Sequence, residues 1–132
     1  MREIKFRAWD KKGKKWIRDF HILPNGQVLV GQGKMTAWIY AKKDVDLIQY
    51  TGLKDKNGKE IYEGDILSWL SEEEGLGEIY TVIFNEAVGE FMGRHKIAGN
   101  LDFNSGYAED INTNEIEVIG NIYENTELLK IK

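Results

Sequence analysis

The segment QYTGLKDKNGKEIYEGDIL, residues 49–67, decides the fold of this chain. Asn57-Gly58 separates two runs that carry apolar residues, and both residues tolerate the positive φ angles that tight hairpin turns require. Gly64-Asp65 ends the second run and begins a third. Because Gly64 can adopt unusual backbone angles and Asp65 can bind nearby amides, both are predicted to be turn residues. The segment therefore predicts a strand, a tight turn at Asn57-Gly58, a second strand and, after a break at Gly64-Asp65, a third strand.

The residues before this segment predict two more hairpins. Residues 4–9 alternate, with Ile4, Phe6 and Ala8 on one face, as in a half-buried strand. A charged turn at 10–15 around Gly13 leads to a return strand, which brings the indoles of residues 9 and 16 together. Pro24-Asn25-Gly26 predicts the next turn. Residues 38–40 resemble a strand, and residues 44–48 fit either a short helical turn or the beginning of a strand.

The second half of the chain also predicts strands. Residues 66–70 are apolar on both faces, residues 78–84 are rich in β-branched and aromatic residues, and the two segments flank an acidic loop at 71–77. Residues 85–93 fit a turn with a short strand, and residues 94–108 fit a long loop rich in glycine and asparagine. Residues 115–123 form the last strand, in which Gly120 predicts a bulge or a close backbone contact. Asn125 is an expected N-cap of a short terminal helix.

These patterns give seven to nine short strands, at most two short helices and no alternation of helices with strands. They predict a mainly β fold in which antiparallel strands form a small barrel, SH3-like or related, with hairpin extensions. The 132 residues, of which 42% are hydrophobic, predict a single domain over 1–132. Within it, a basic N-terminal hairpin subregion (1–48) precedes a barrel-like subregion (49–132).

Charge is divided unevenly along the chain. Residues 1–60 hold 14 Lys and Arg against 7 Asp and Glu, a balance of +7, whereas residues 61–132 hold 4 against 15, a balance of −11. This division fits two oppositely charged faces of one soluble domain, a basic patch for nucleic acid or an acidic partner, or head-to-tail self-association.

The basic N-terminal residues are interleaved with tryptophan. Cations can follow phosphates while an exposed indole stacks on a base, so this cluster is a candidate contact for nucleic acid or a protein partner. The candidate residues are Lys5, Arg7, Trp9, Lys11, Lys12, Lys14, Lys15, Trp16 and Arg18.

Three blocks of the chain resemble the YopX family of phage and prophage proteins. They are REIKFRAWD at 2–10, YTGLKDKNGKEIYEGDI at 50–66 and VIGNIYEN at 118–125, and the resemblance runs from end to end. One departure is Thr126, where family members often carry proline at the first helical position. The resemblance implies a phage or prophage origin, the cytoplasm of a bacterial host and a largely β fold. It brings no catalytic residues with it.

No reactive constellation stands out in the sequence. Cysteine is absent, which excludes disulfides and fits a reducing cytosol. His21 and His95 are the two histidines, with no zinc-binding spacing, and no serine lies in a nucleophile motif. Glu63 and Asp65 flank Gly64 and could act as an acid–base pair. The stronger interpretation is that Asp65 binds nearby amides in a turn. No metal, no cofactor and no membrane span or signal peptide is expected.

The sequence thus favours a non-catalytic phage accessory protein that binds other proteins or assembles with itself. Its expected partners are its own copies and an unknown phage or host protein. One alternative is single-stranded nucleic-acid binding through the basic N-terminal hairpin. A second alternative is an enzyme that uses carboxylates.

Overall fold

A computed structural model describes residues 3–32, 36–70, 77–105 and 110–130. The chain forms two compact units, residues 5–49 and residues 1–4 with 50–132. The boundary falls inside one long strand, β6 (Val45–Lys54). The single-domain assignment stays a prediction.

Charge follows this division. Residues 5–49 hold ten Lys and Arg against four Asp and Glu, a balance of +6, and are called the basic unit below. The remaining residues hold 8 against 18, a balance of −10, and are called the acidic unit.

The basic unit consists of two small antiparallel groups of strands. In the first, β1 pairs with β2 and with the beginning of β6; in the second, β4 lies between β3 and β5. Alanine, valine and isoleucine side chains at 8, 17, 28, 30 and 45 form its core. The strands are β1 (Phe6–Asp10), β2 (Lys15–Ile17), β3 (Phe20–Ile22), β4 (Val28–Gln32) and β5 (Thr36–Tyr40).

The acidic unit contains a five-stranded antiparallel sheet with the order β11-β10-β9-β8-β12. The end of β6 pairs with β7 in a hairpin that turns at Asn57-Gly58. Branched side chains at 61, 67, 82, 111 and 116 form the core of this unit. Its strands are β7 (Glu60–Tyr62), β8 (Asp65–Leu70), β9 (Gly77–Asn85), β10 (Glu90–His95), β11 (Gly99–Leu101) and β12 (Ile116–Asn121).

Helical structure in the described residues is limited to three 3₁₀ segments, Lys42–Asp44, Thr113–Glu115 and Thr126–Lys130. The mainly β, antiparallel fold predicted from the sequence is therefore confirmed. Residues 44–48, which fitted a turn or a strand, contain both the end of the first 3₁₀ segment and the beginning of β6. Across the described part of the chain, no helical segment has the length and apolar character needed to cross a membrane.

Several local predictions are confirmed. The three hairpin turns and the strand at 38–40 are present, and the indoles of Trp9 and Trp16 face each other as cross-strand partners. The register between β8 and β12 shifts between Val118 and Gly120, which is the expected bulge. The terminal 3₁₀ segment begins after Asn125, but the side-chain oxygen of Asn125 accepts a hydrogen bond from the backbone N–H of Asn121, which precedes the segment, so the N-cap role of Asn125 stays a prediction.

The long loop predicted at 94–108 is wrong over residues 94–101. Strand β10 continues to His95, and β11 returns antiparallel to it. The glycines there serve the hairpin: Gly99 has φ +80° in the turn, and Gly93 is buried where an added Cβ would lie 2.2 Å from Cδ1 of Ile111. Residues 106–108 of that prediction, and 71–76 of the predicted acidic loop, lie outside the described residues.

Candidate functional site

A groove of about 680 Å³ lies within the basic unit. Strand β2, the connection that follows it, β4 and β5 contribute its walls, which combine cationic, aromatic and aliphatic groups. The lining residues are Lys15, Trp16, Ile17, Arg18, Asp19, Val30, Gly31 and Tyr40. A groove of this size can accommodate a small molecule or one or two residues of a polymer.

Asp10 positions one wall of the groove. Its Oδ1 accepts hydrogen bonds from the backbone N–H groups of Lys12 and Gly13, at 3.0 and 2.9 Å. Its Oδ2 accepts a bond from the hydroxyl of Tyr40, 3.2 Å away. The side chain of Asp10 is buried, so these bonds hold the β1–β2 turn and the phenol of Tyr40 in a fixed relation.

The same contacts shift two pKa values. The bond from the N–H of Gly13 lowers the pKa of Asp10 most; burial opposes it, while Tyr40, Lys12 and Lys15 add to the lowering. Burial raises the pKa of Tyr40, and the negative charge and hydrogen bond of Asp10 raise it further. At neutral pH the groove therefore lies beside an ionised carboxylate and contains a neutral phenol.

An exposed indole stands beside the groove. Trp38 is 65% exposed, and its ring centroid lies 6.2 Å from that of Tyr40. Its cross-strand partner in β4 is Val30, which lines the groove, so Trp38 projects from the same face of these strands as Val30. The neighbouring residue, Ile39, is 55% exposed on the opposite face.

Gly31 contributes backbone to the lining of the groove at β4. An ideal Cβ built on this residue would have no heavy atom within 4 Å, and its φ lies outside the left-handed range. A larger residue can therefore be introduced here without backbone strain, and its side chain would occupy empty space.

The structure separates the nine candidate contact residues into groups. Lys15, Trp16 and Arg18 line the groove, whereas Trp9 is only 7% exposed and cannot stack on a ligand in this conformation. Lys5 precedes β1 and is half-buried, and Lys14 is exposed in the turn with φ 54°.

Two of the turn lysines are already engaged. Lys11 forms an ion pair with Asp46 at 3.3 Å, and Lys12 forms one with Asp44 at 3.7 Å. These contacts balance part of the positive charge that the sequence places at the hairpin tip. Within the described part of the chain, neither Lys15 nor Arg18 forms an ion pair, although the charge of Asp10 acts on Lys15.

Arg7 and Trp16 pack against each other. The guanidinium carbon of Arg7 lies 4.4 Å from the centre of a Trp16 ring, and the Trp9 ring meets Trp16 edge-on at 4.8 Å. Because the indole of Trp16 is half-buried between these neighbours, it contributes more to the wall of the groove than to a stacking surface.

In the acidic unit, His95 is held on both ring nitrogens. Its Nδ1 accepts bonds from the backbone N–H groups of Ile97 and Ala98, at 3.1 and 3.0 Å. Its Nε2 contacts the carboxylate of Glu78, so Nε2 is the donor in that bond. The ring of Tyr80 lies 5.5 Å away, and burial together with the charge of Glu78 raises the pKa of Tyr80. His95 therefore fixes the β10–β11 turn.

Glu90 and Asp102 bring two carboxylates together in the acidic unit. The hydrogen bond with Asp102, followed by its negative charge, raises the pKa of Glu90 on a fully exposed surface. Asp65 is only 2% exposed and accepts a bond from the backbone N–H of Tyr62 at 2.8 Å. No group of three or more potential metal ligands occurs among the residues that the structure describes.

The predicted turn residues occupy tight positions. Gly58 follows Asn57, has φ +81° and ends the turn that begins at Asp55, and Gly64 has φ +85° beside the ring of Tyr123. Gly120 lies at the bulge, where an added Cβ would be 2.6 Å from the side-chain oxygen of Asn125.

Sequence reasoning missed the second wall of the groove. Gly31 and Tyr40 follow the basic hairpin by more than ten residues, and the pairing of β4 with β5 brings them, with Trp38, to the side of that hairpin. The available signal was the uncharged aromatic run at 38–40 within the most basic part of the chain.

The fold and the groove together define a mainly β protein built from two compact antiparallel units, one of which carries a basic, aromatic groove. The family model described as YopX protein matches residues 5–130, and the chain belongs to the YopX family.

Two solved structures resemble the chain over its whole length. Protein EF1440 from Enterococcus faecalis is 25% identical, with a TM-score of 0.66, and the match covers 98% of this chain and 99% of that one. The yopX protein from Bacillus subtilis is 22% identical, with a TM-score of 0.62, and the match covers 100% of this chain and 99% of that one. No curated protein sequence matches the chain.

Proposed function

We propose that this protein is a non-catalytic binding module that assembles with copies of itself, the basic unit of one copy against the acidic unit of the next. The observation that carries the proposal is the separation of charge, +6 against −10, into two units that are each compact. Opposite charges on separate units attract in a head-to-tail arrangement, which closes into a ring or extends as a filament.

Two features of the acidic unit support a non-catalytic role. Both ring nitrogens of His95 are engaged by neighbouring groups, and the carboxylates of Glu90 and Asp102 meet on an exposed surface. The family resemblance supports a phage accessory protein in the cytoplasm of a bacterial host, with a phage or host protein as a further partner.

The test is light scattering coupled to size-exclusion chromatography at about 0.01 M and about 1 M salt, where the Debye length is about 30 Å and about 3 Å. We expect a defined oligomer at low salt that dissociates at high salt. A strict monomer at low salt and high protein concentration would refute the proposal.

Matched charge variants sharpen the test. Lys42→Glu with Lys43→Glu, both exposed and outside the groove lining, lowers the balance of the basic unit from +6 to +2. Lys54→Glu with Lys96→Glu changes the total charge equally but makes the acidic unit more negative. The first pair should weaken association by roughly tenfold or more, and the second should not weaken it. Equal weakening by both pairs would contradict a contact between unlike units.

A further inference from the structure

We propose that the groove of the basic unit binds single-stranded nucleic acid, with one base stacked on Trp38 and the adjoining phosphates held by Lys15 and Arg18. This inference is independent of self-assembly. It also differs from a contact through the tip of the N-terminal hairpin, because the groove uses residues of β4 and β5.

Lys15 and Arg18 bring positive charge to the groove. Lys11 and Lys12 are paired with aspartates, whereas Lys15 and Arg18 have no ion pair within the described residues. Cations beside a concave surface attract a polyanion and release its counterions on binding.

The exposed indole selects among polyanions. Trp38 presents 65% of its surface at the edge of the groove, next to Tyr40, and the core does not cover it. A single-stranded nucleic acid carries one base for every phosphate, so it can stack on Trp38 while its phosphates pair with the cations. An acidic peptide would form ion pairs with Lys15 and Arg18 but would offer no base to stack on the indole. Because stacking requires an unpaired base, the expected ligand is a single strand and not a duplex.

The walls of the groove are preorganised by contacts within the basic unit. Asp10 holds the phenol of Tyr40, and Arg7 packs on Trp16, so both aromatic walls are fixed. Asp19 adds one negative charge to the lining, which limits affinity for phosphate.

The experiment measures fluorescence anisotropy of a labelled oligothymidylate, with protein kept below the concentration at which it associates. With two phosphate contacts, we expect log K to fall with log salt at a slope of about −1.4. Trp38→Ala should weaken binding by roughly tenfold to a hundredfold, the range for one stacked base, and Trp38→Phe should retain part of the affinity.

Ile39→Ala is the matched control, since it removes a similarly exposed apolar side chain from the other face of the same strand. Gly31→Leu is a second control: neighbouring residues of a strand alternate, so the new side chain projects from the Ile39 face of β4 and should leave binding unchanged. Arg18→Gln should weaken binding and Asp19→Asn should strengthen it. Circular dichroism identifies any variant that fails to fold, and the Trp38→Phe and Asp19→Asn arms remain informative in that case.

Three outcomes would overturn the inference. The first is no binding to mixed DNA and RNA single strands at low salt. The second is equal loss in the Trp38→Ala and Ile39→Ala variants. The third is preferential binding of poly-glutamate or duplex DNA, which would assign the groove to an acidic protein or to a different nucleic-acid form. The Lys42 and Lys43 variants that test self-assembly leave the groove lining unchanged, so the two proposals can fail separately.

Discussion

Each unit of the protein contains a buried aspartate that stands at the end of a strand and organises the next turn. Oδ1 of Asp10, in the basic unit, accepts bonds from Lys12 and Gly13. Oδ1 of Asp55, in the acidic unit, accepts bonds from Asn57 and Lys59, both at 2.9 Å. The local arrangement is therefore similar in both units.

The second oxygen distinguishes the two aspartates. Oδ2 of Asp55 accepts a bond from the backbone N–H of Val118, 63 residues away, and so joins the central hairpin to β12. Oδ2 of Asp10 accepts its bond from the hydroxyl of Tyr40. The comparison shows that a similar turn can serve different purposes: Asp55 connects the hairpin to a distant strand, whereas Asp10 positions a side chain of the groove.

The largest expected effect is the difference between Asp55→Ala and Asp10→Ala in stability. The first leaves a backbone N–H of β12 without its acceptor and should lower the free energy of unfolding by about 3 kcal/mol. The second loses a hydroxyl bond instead and should cost about half as much. Urea unfolding followed by circular dichroism measures both, with Glu86→Ala at an exposed turn as the control. If Asp10→Ala lowered the free energy of unfolding as much as Asp55→Ala, the proposed difference between the two aspartates would be contradicted.

A smaller effect is expected at the turn glycines, which are required for different reasons. Gly58 has φ +81° and open space around it, so Gly58→Ala should cost about 1 kcal/mol of backbone strain. Gly58→Asn should cost less, because asparagine tolerates this conformation. Urea unfolding of the two variants measures the difference, and equal costs would show that backbone strain is not the reason for glycine here.

Gly13 has no positive φ, but an added Cβ would lie 2.7 Å from Oδ2 of Asp10. The cost of Gly13→Ala should therefore disappear when Asp10 is already alanine, in a double-mutant cycle of urea unfolding. Additive costs in that cycle would show that Gly13 acts through its backbone.

The features that the sequence predicted correctly depend on residues close together in the chain. The hairpin at Asn57-Gly58, the Trp9–Trp16 pair and the bulge at Gly120 are local, and the residue types there carry their own conformational preference. The β10–β11 hairpin was missed because Gly93 and Gly99 resemble loop composition, whereas the first is a close-packing site against Ile111.

The groove could not be predicted for a different reason. The hydroxyl of Tyr40 donates a hydrogen bond to Asp10, which lies 30 residues earlier in the chain. Trp38 stands beside the groove because it pairs with Val30 of the neighbouring strand. No periodicity in the sequence specifies which strand lies beside the basic hairpin. Burial of Trp9 was also hidden, because alternation placed it on the face opposite Ala8 although both are buried.

Asp55 should contribute to the acid dependence of stability. Burial alone would raise the pKa of Asp55, but bonds from the N–H groups of Val118, Lys59 and Asn57 lower it below 3.8. A carboxyl whose pKa is lower in the folded state stabilises the protein above its unfolded pKa, and this contribution is lost as pH falls through the folded pKa. The free energy of unfolding should therefore decline below about pH 4. Asp55→Ala should make this decline shallower, because the variant lacks the carboxyl whose pKa is lower in the folded state. A stability profile that Asp55→Ala leaves unchanged would contradict this assignment.

The smallest effect concerns ionisation of Tyr40. Burial, then the charge and hydrogen bond of Asp10, raise its pKa above 10.0. Asp10→Asn removes the charge but keeps the burial, so the pKa of Tyr40 should fall without reaching 10.0. NMR titration of ¹³C-labelled tyrosine, assigned with Tyr40→Phe, measures the shift, and Asp55→Asn is the control that should leave it unchanged. If Asp10→Asn also left the pKa of Tyr40 unchanged, Oδ2 of Asp10 would not control the ionisation of Tyr40. Asp10 would then not differ from Asp55 by positioning a side chain of the groove.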